Sequence, residues 1–580
     1  MPTTIRTLFV IAFLAAGATV SFAADKKSSW PTDVEGFQLP EPGEHPRLLF
    51  RRSDLPELRR RAATPEGKAL IARLKVLLGG GEGMPEMKNG MTSAYGKQGG
   101  SKPGKEELPE GTYSISHAAG FGFLYQLTGD KKYADLGRQC FEWAMDGVRD
   151  RDREARYSFR NPGGALRAGP SLGWYAVGYD LCYDGWDEDF RNKVTEALEN
   201  YRENVGKQTV DLEYLVKGKR HMPASNHWGM QVGGGALAAL AIANDPGVDQ
   251  KKVEKLLEES QQAMIRNLTE GFGDHGWFAE GDGTGCMSSN IVFGTSLQAW
   301  KVAGGKDFIS PRPNAPWMFL KWVMRTIPRD GNPDVLKLGA YPHNVYARTG
   351  ISGPGTFSVG LGCVTDEQRP SLLWLYNRAQ KAYDQKHNTP METTSGYPHH
   401  AILAFVNWPF GEEEENPAAC IPQAVRDEKF GFYMMRNRWQ DENDVLVQIQ
   451  TKSTRGWHKA STRGDIHVWA GGKKTKWGQL RGTITHWQPA SDGSAVLASA
   501  DGTSLAVDYS KASGVDAMLV MTGPTAGRGT TVKVGGREYS FLFVGGKDPP
   551  QPKADGDWVV VGAQRVSFAD GQITIDKPGQ

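Results

Sequence analysis

Cysteine is scarce and scattered in this chain. The five residues, Cys140, Cys182, Cys286, Cys363 and Cys420, are odd in number and far apart. They form no CxxC pair, which excludes a zinc-finger spacing and a compact disulfide framework; no pairing is assigned. Net charge is scarce too. The 68 basic residues against 66 acidic ones leave +2, too little for a dedicated nucleic-acid binder, although a local basic groove is compatible with it. No internal repeat of fixed period is present. Beyond residue 23 no apolar run is long enough to cross a bilayer. The glycines between Gly79 and Gly111 sit among Lys, Glu and Pro in a long loop. No GxxxxGK[ST] follows a strand there, so they are not a phosphate cradle.

What is present begins with a leader. Residues 1–23 carry Arg6, an apolar run from Leu8 to Ala16, and small residues at Ser21 and Ala23. That pattern predicts a secretory signal peptide cleaved near Ala23, and hence a secreted or periplasmic protein with no membrane span. The remainder, about 555 residues, is long enough for two to four domains on ordinary sizes. Seventeen Trp and eighteen Tyr are a generous aromatic supply, suited to stacking on sugar rings and equally to core packing.

From Leu49 to about Val406 the apolar spacing is helical. Tyr133, Leu136, Cys140, Trp143 and Ala144 share one face, as do Val253, Leu256, Leu257, Met264, Ile265 and Leu268. Further helices are predicted over 54–62, 66–78, 115–127, 171–181, 188–205, 288–302 and 370–382. Their lengths and connections suggest antiparallel hairpins, and 233–242 is apolar on more than one face, so it packs on both sides. Glu412-Glu413-Glu414-Glu415-Asn416-Pro417 then reads as an acidic linker. Beyond it short β-branched and aromatic runs alternate with Gly, Asp and Asn, predicting an antiparallel β-sandwich. The division is therefore 24–411 helical, 412–427 linker and 428–580 sandwich.

Within the helical part, Ser225-Asn226-His227-Trp228-Gly229 precedes a glycine- and alanine-rich helix. An amide and an imidazole side by side can both address one anion; an N-capping residue beside a half-buried His is the bland alternative. Downstream, Phe430-Gly431-Phe432-Tyr433-Met434-Met435-Arg436-Asn437-Arg438-Trp439 leads through Gly456-Trp457-His458 to Gly464-Asp465-Ile466-His467-Val468-Trp469-Ala470-Gly471-Gly472. Together with His45-Pro46-Arg47-Leu48-Leu49-Phe50 and the Asn226-His227 pair, this ordered set resembles the heparinase II/III family of polysaccharide lyases.

The resemblance implies an (α/α) toroid followed by a β-sandwich, with the cleft where they meet. It also implies β-elimination on a uronic-acid-containing polysaccharide. That chemistry needs the substrate carboxylate neutralised, a role matched by Asn226 and His227. It also needs a base and an acid. His458 matches the sandwich histidine of the family. The family's Tyr is missing after Gly276-Trp277-Phe278-Ala279-Glu280-Gly281, and Tyr341 or Tyr346 would substitute from a later loop. Arg348, Arg436, Arg455, Lys459 and Arg463 are cationic candidates for substrate carboxylates or sulfates, and Trp228, Trp277 and Glu280 are further substrate-binding candidates. No cofactor is required. Some relatives hold zinc near the sandwich histidine, which Asp465 and His467, two apart on a strand, could ligate; a satisfied sheet pair is the alternative. Two other readings stay open. Glu280 and Asp282 could be the acid and base of a glycoside hydrolase, or the protein could bind an acidic glycan without cleaving it. His117, His399 and His400 are read as structural or surface residues.

Overall fold

A computed structural model describes residues 30–85, 110–150, 157–329, 333–335, 355–381, 396–453 and 464–576. The helical part contains α1 (Leu55–Ala62), α2 (Pro65–Leu77), α3 (His117–Thr128), α4 (Lys131–Met145), α5 (Ala165–Cys182), α6 (Glu188–Glu199), α7 (Leu212–Val216), α8 (Asn226–Ile242), α9 (Gln250–Arg266), α10 (Asp282–Ser288), α11 (Gly294–Ala303), α12 (Asn314–Met324), α13 (Gly355–Ser358), α14 (Arg369–Tyr376) and α15 (Pro398–Asn407). The predicted helix 171–181 starts earlier, at Ala165, and carries Pro170 inside it. The one predicted over 188–205 stops at Glu199, and Arg202–Val205 turns into a short hairpin strand. The stretch 288–302 is broken by a π turn, Ser289–Phe293, between α10 and α11.

The inner helices run parallel, and small residues make that possible. Gly122 lies against Leu181 and Cys182 while Gly178 lies against Ala118, so α3 and α5 rise together. Gly169 meets the Met230 carbonyl and Gly173 meets Gly234, which aligns α5 with α8. A Cβ on Gly234 would collide with the Gly169 carbonyl, so the close crossing of these two backbones requires glycine. Gly229 faces Ser288 and Gly233 faces Phe293, extending the series to α10 and its π turn. Asn290 Nδ2 donates to Thr356 Oγ1 (3.2 Å) and Asn407 Nδ2 to the Ser358 carbonyl (2.8 Å), bringing in α13 and α15. The series then returns to its start. His399 Nδ1 lies 2.9 Å from Ser116 Oγ, and the rings of Phe123 and Phe405 sit 5.2 Å apart. The helical part is thus a closed toroid, and every residue of α8 except His227 is buried. The inner-helix N-termini lie at one mouth, where their dipoles present positive ends.

The C-terminal part is antiparallel throughout. A front sheet orders the strands Lys473–Gln479, Asp465–Ala470, Leu446–Gln450, Phe432–Arg436 and Ala424–Asp427; a six-stranded middle sheet follows, then a four-stranded back sheet from Lys553 to Asp576. The strand Ala424–Asp427 falls inside the stretch read from sequence as linker. Alternation decides the layers. Tyr433, Met435, Val447, Ile449 and Val468 pack on Leu497, Leu505 and Leu519 of the middle sheet. Phe432, Met434 and Leu446, on the opposite face, join the core of the toroid. The middle sheet's other face, with Ala506, Met518 and Val520, packs on Val559, Val566 and Ile573.

Candidate active site

Ser225 caps α8, its Oγ accepting from the His227 amide at 3.3 Å. The Asn226 amide donates to Glu280 Oε2 at 2.9 Å across 54 residues of sequence. Glu280 is buried, and its carboxylate sits where the α8 dipole is positive. The loop carrying it is pinned from behind by α12. Lys321 Nζ donates to the Gly276 carbonyl (2.6 Å), and Arg325 pairs with Asp282 at 3.0 Å, all of them buried. Gly276 has φ +72° and lies hard against the Trp317 carbonyl, a place only glycine fits. Burial holds the Lys321 ammonium below its ordinary range, offset by the nearby Asp282 charge.

The other face of this loop meets the sandwich. Asp427 accepts from the His275 amide (3.1 Å) and the Phe430 amide (3.3 Å). Burial, with Asp274 adding to it against these hydrogen bonds, pushes the Asp427 carboxyl up to about 6. His275 is pushed down to about 4 by burial.

At the tip of the site two imidazoles stack. His221 and His227 have ring centroids 4.3 Å apart and planes 27° from parallel. Both are partly exposed. Burial and the Arg220 charge lower the His221 pKa, which favours its neutral form. Close by, Met222, Ala224, Glu270, Ala279, Lys429 and Lys452 line a cavity of about 650 Å³ between toroid and front sheet. An amide-bearing helix terminus, two imidazoles and two lysines thus meet at the seam of the domains. Such a set can hold a carboxylate and move a proton.

No family model matches the chain, and no curated protein matches it. Among solved structures it is similar to heparinase III, with 11% identity, a TM-score of 0.40, and coverage of 90% of this chain and 85% of that one. It is also similar to the heparan sulfate lyase HepC mutant from Pedobacter heparinus, at 10% identity and TM-score 0.36, covering 89% and 78%. The Streptomyces coelicolor A3 chondroitin AC lyase in complex with chondroitin sulphate aligns at 10% identity and TM-score 0.37, covering 90% and 76%. The likeness is one of chain course. The site is therefore read from its own residues.

Several sequence candidates lie elsewhere than expected. Trp228 is buried against α9: its Nε1 donates to the Ala263 carbonyl (2.9 Å) and Arg266 covers its ring. Trp277 is buried between Phe432 and Arg325, closed to a sugar. Arg436 is fully buried. It donates to the Val323, Met324 and Thr326 carbonyls at the end of α12 and pairs with Asp444 at 3.0 Å, so it clamps the domains together instead of holding substrate. Glu280 is committed to the α8 terminus and Asp282 to Arg325, so neither faces the cleft as substrate ligand, acid or base.

Asp465 is held by Lys476 (2.8 Å) and Gln479 (2.7 Å), and the charges of Lys474 and Lys476 both act on His467. No group of three potential metal ligands occurs among the described residues, and His458, the expected neighbour of such a site, lies outside them. His117, His399 and His400 are fully buried, with His117 Nδ1 accepting from the Ser114 amide (3.0 Å) just ahead of its helix. None of the five cysteines is in a disulfide. Tyr341, Tyr346, Arg348, Arg455, His458, Lys459 and Arg463 lie outside the described residues. Sequence reasoning missed His221, whose only signal was its place six residues before His227, and missed the support from Lys321 and Arg325.

Proposed function

We propose that this protein is an exported polysaccharide lyase that cleaves a uronic-acid-containing glycan by β-elimination. The observation carrying the reading is the anchored start of α8. Glu280 fixes the Asn226 backbone, and Asn226 and His227 then stand at the positive end of a helix beside a second imidazole. Elimination needs the uronate carboxylate neutralised so that negative charge can spread from C5 in the transition state. The Asn226 side-chain amide and a protonated His227 would supply that neutralisation, and Lys429 and Lys452 make the adjoining cavity favourable to further acidic residues of the glycan. The hydrolase reading loses support because both of its carboxylates are buried and engaged. Residues 1–23 would direct export, and no helix among the described residues is long and apolar enough to cross a membrane.

The test is ultraviolet absorbance of the unsaturated uronate while purified protein meets glycosaminoglycans, alginates and other uronates. A rise is expected that falls roughly a hundredfold or more in His227→Ala or Asn226→Ala. New reducing ends without absorbance would replace the lyase by a hydrolase. Retained glycan affinity with neither signal would make the protein a binder.

A further inference from the structure

We propose that His221 is the proton acceptor of the elimination, working as one half of a stacked imidazole pair whose other half, His227, meets the substrate carboxylate. This rests on the lyase reading above and supplies the base that reading leaves unassigned among the described residues.

The geometry points to it in three ways. The rings lie 4.3 Å apart, so a group touching the carboxylate and a group touching the neighbouring C5 proton are delivered together. Both imidazoles are partly exposed, whereas Glu280 and Asp282 are buried and engaged. The loop is also fixed, because Ser225 follows His221 by four residues and caps α8, and the Ser225 amide donates back to the Met222 carbonyl at 2.9 Å.

Charge assigns the roles. Arg220 on the same loop and His227 on α8 face His221, while Lys217 and Lys219 are neutralised by Glu213, and Lys217 also by Glu259. Two stacked imidazoles resist carrying two positive charges. When His227 is protonated on the carboxylate, its charge, Arg220 and partial burial all keep His221 neutral and able to accept a proton. In the step, a His221 ring nitrogen removes the C5 proton. The C5–H electron pair becomes the C4–C5 π bond, and the C4–O bond breaks with its pair going to the glycosidic oxygen. That oxygen takes the abstracted proton from His221 as the bond breaks, so the pair is not left with two positive charges. Nothing is oxidised or reduced, and no water is consumed.

The experiment is steady-state elimination kinetics of His221→Ala on whichever uronate polysaccharide the wild type cleaves fastest, with and without added imidazole. The expected loss in kcat is about a hundred- to ten-thousand-fold, with KM changed by less than about threefold. The acidic limb of the kcat/KM profile should vanish, and free imidazole should restore part of the rate, which a merely structural histidine would not permit. A rate within about threefold of wild type overturns the base while leaving the lyase standing. A loss without imidazole rescue and with the acidic limb intact also overturns it. A wild type that makes no unsaturated product from any uronate overturns the function, and this assignment with it.

Discussion

The indole of Trp277 lies flat on the ring of Phe432, with centroids 3.4 Å apart and planes 4° from parallel. Trp277 belongs to the loop that carries Glu280, and Phe432 to the front sheet, so one stack joins the site to the second domain. Arg325 covers the indole at 4.3 Å from its centroid. Replacing Trp277 by Ala should cost about 3–5 kcal/mol, the range for a buried aromatic. A double-mutant cycle with Phe432→Ala should show coupling of about 0.5–1.5 kcal/mol in urea unfolding. Strict additivity would mean that the rings touch without supporting each other.

Asp427 and His275 oppose each other in pH. Asp427 titrates at about 6 in the fold against an ordinary 3.8. Its contribution is complete below 3.8 and is lost as pH rises through 6. His275 titrates at about 4 against an ordinary 6.5, so its contribution is complete above 6.5 and is lost as pH falls through 4. Between those limits the two slopes cancel in the wild type. Asp427→Asn should therefore lose stability as pH falls from 6.5 to 4, and His275→Gln should gain it as pH falls from 6 to 3.8. Urea midpoints measured across this window check both signs.

Arg325 and Asp282 are a buried ion pair. Asp282→Asn leaves the guanidinium without its counter-charge and should destabilise by about 3–5 kcal/mol. The double variant with Arg325→Met should recover much of that loss, because removing both charges removes the desolvation cost as well. Thermal unfolding of the three proteins decides it.

Glu280→Gln keeps an acceptor for the Asn226 amide but removes the charge at the start of α8. The expected cost is about 1–2 kcal/mol of stability. Elimination should persist within roughly tenfold, as for a residue that positions the helix without touching the glycan. Complete loss of cleavage in a folded variant would bring the hydrolase reading back.

Sequence alone showed the order of the domains, because a change from helical to alternating apolar spacing is a one-dimensional signal. It showed Asn226 and His227 as neighbours for the same reason, and it showed that the α8 segment packs on more than one side. It could not show which side of a helix looks into the cleft. Trp228, Trp277 and Arg436 have the composition of glycan ligands, yet each is spent on packing, Trp228 against α9 and the other two at the seam of toroid and sandwich. Tertiary structure alone decided that Glu280 reaches the α8 terminus across 54 residues, that α12 braces its loop, and that His221 stacks on His227. These are meetings between distant segments, fixed by ring closure and by the sheet that covers the seam. Local spacing carries no record of them.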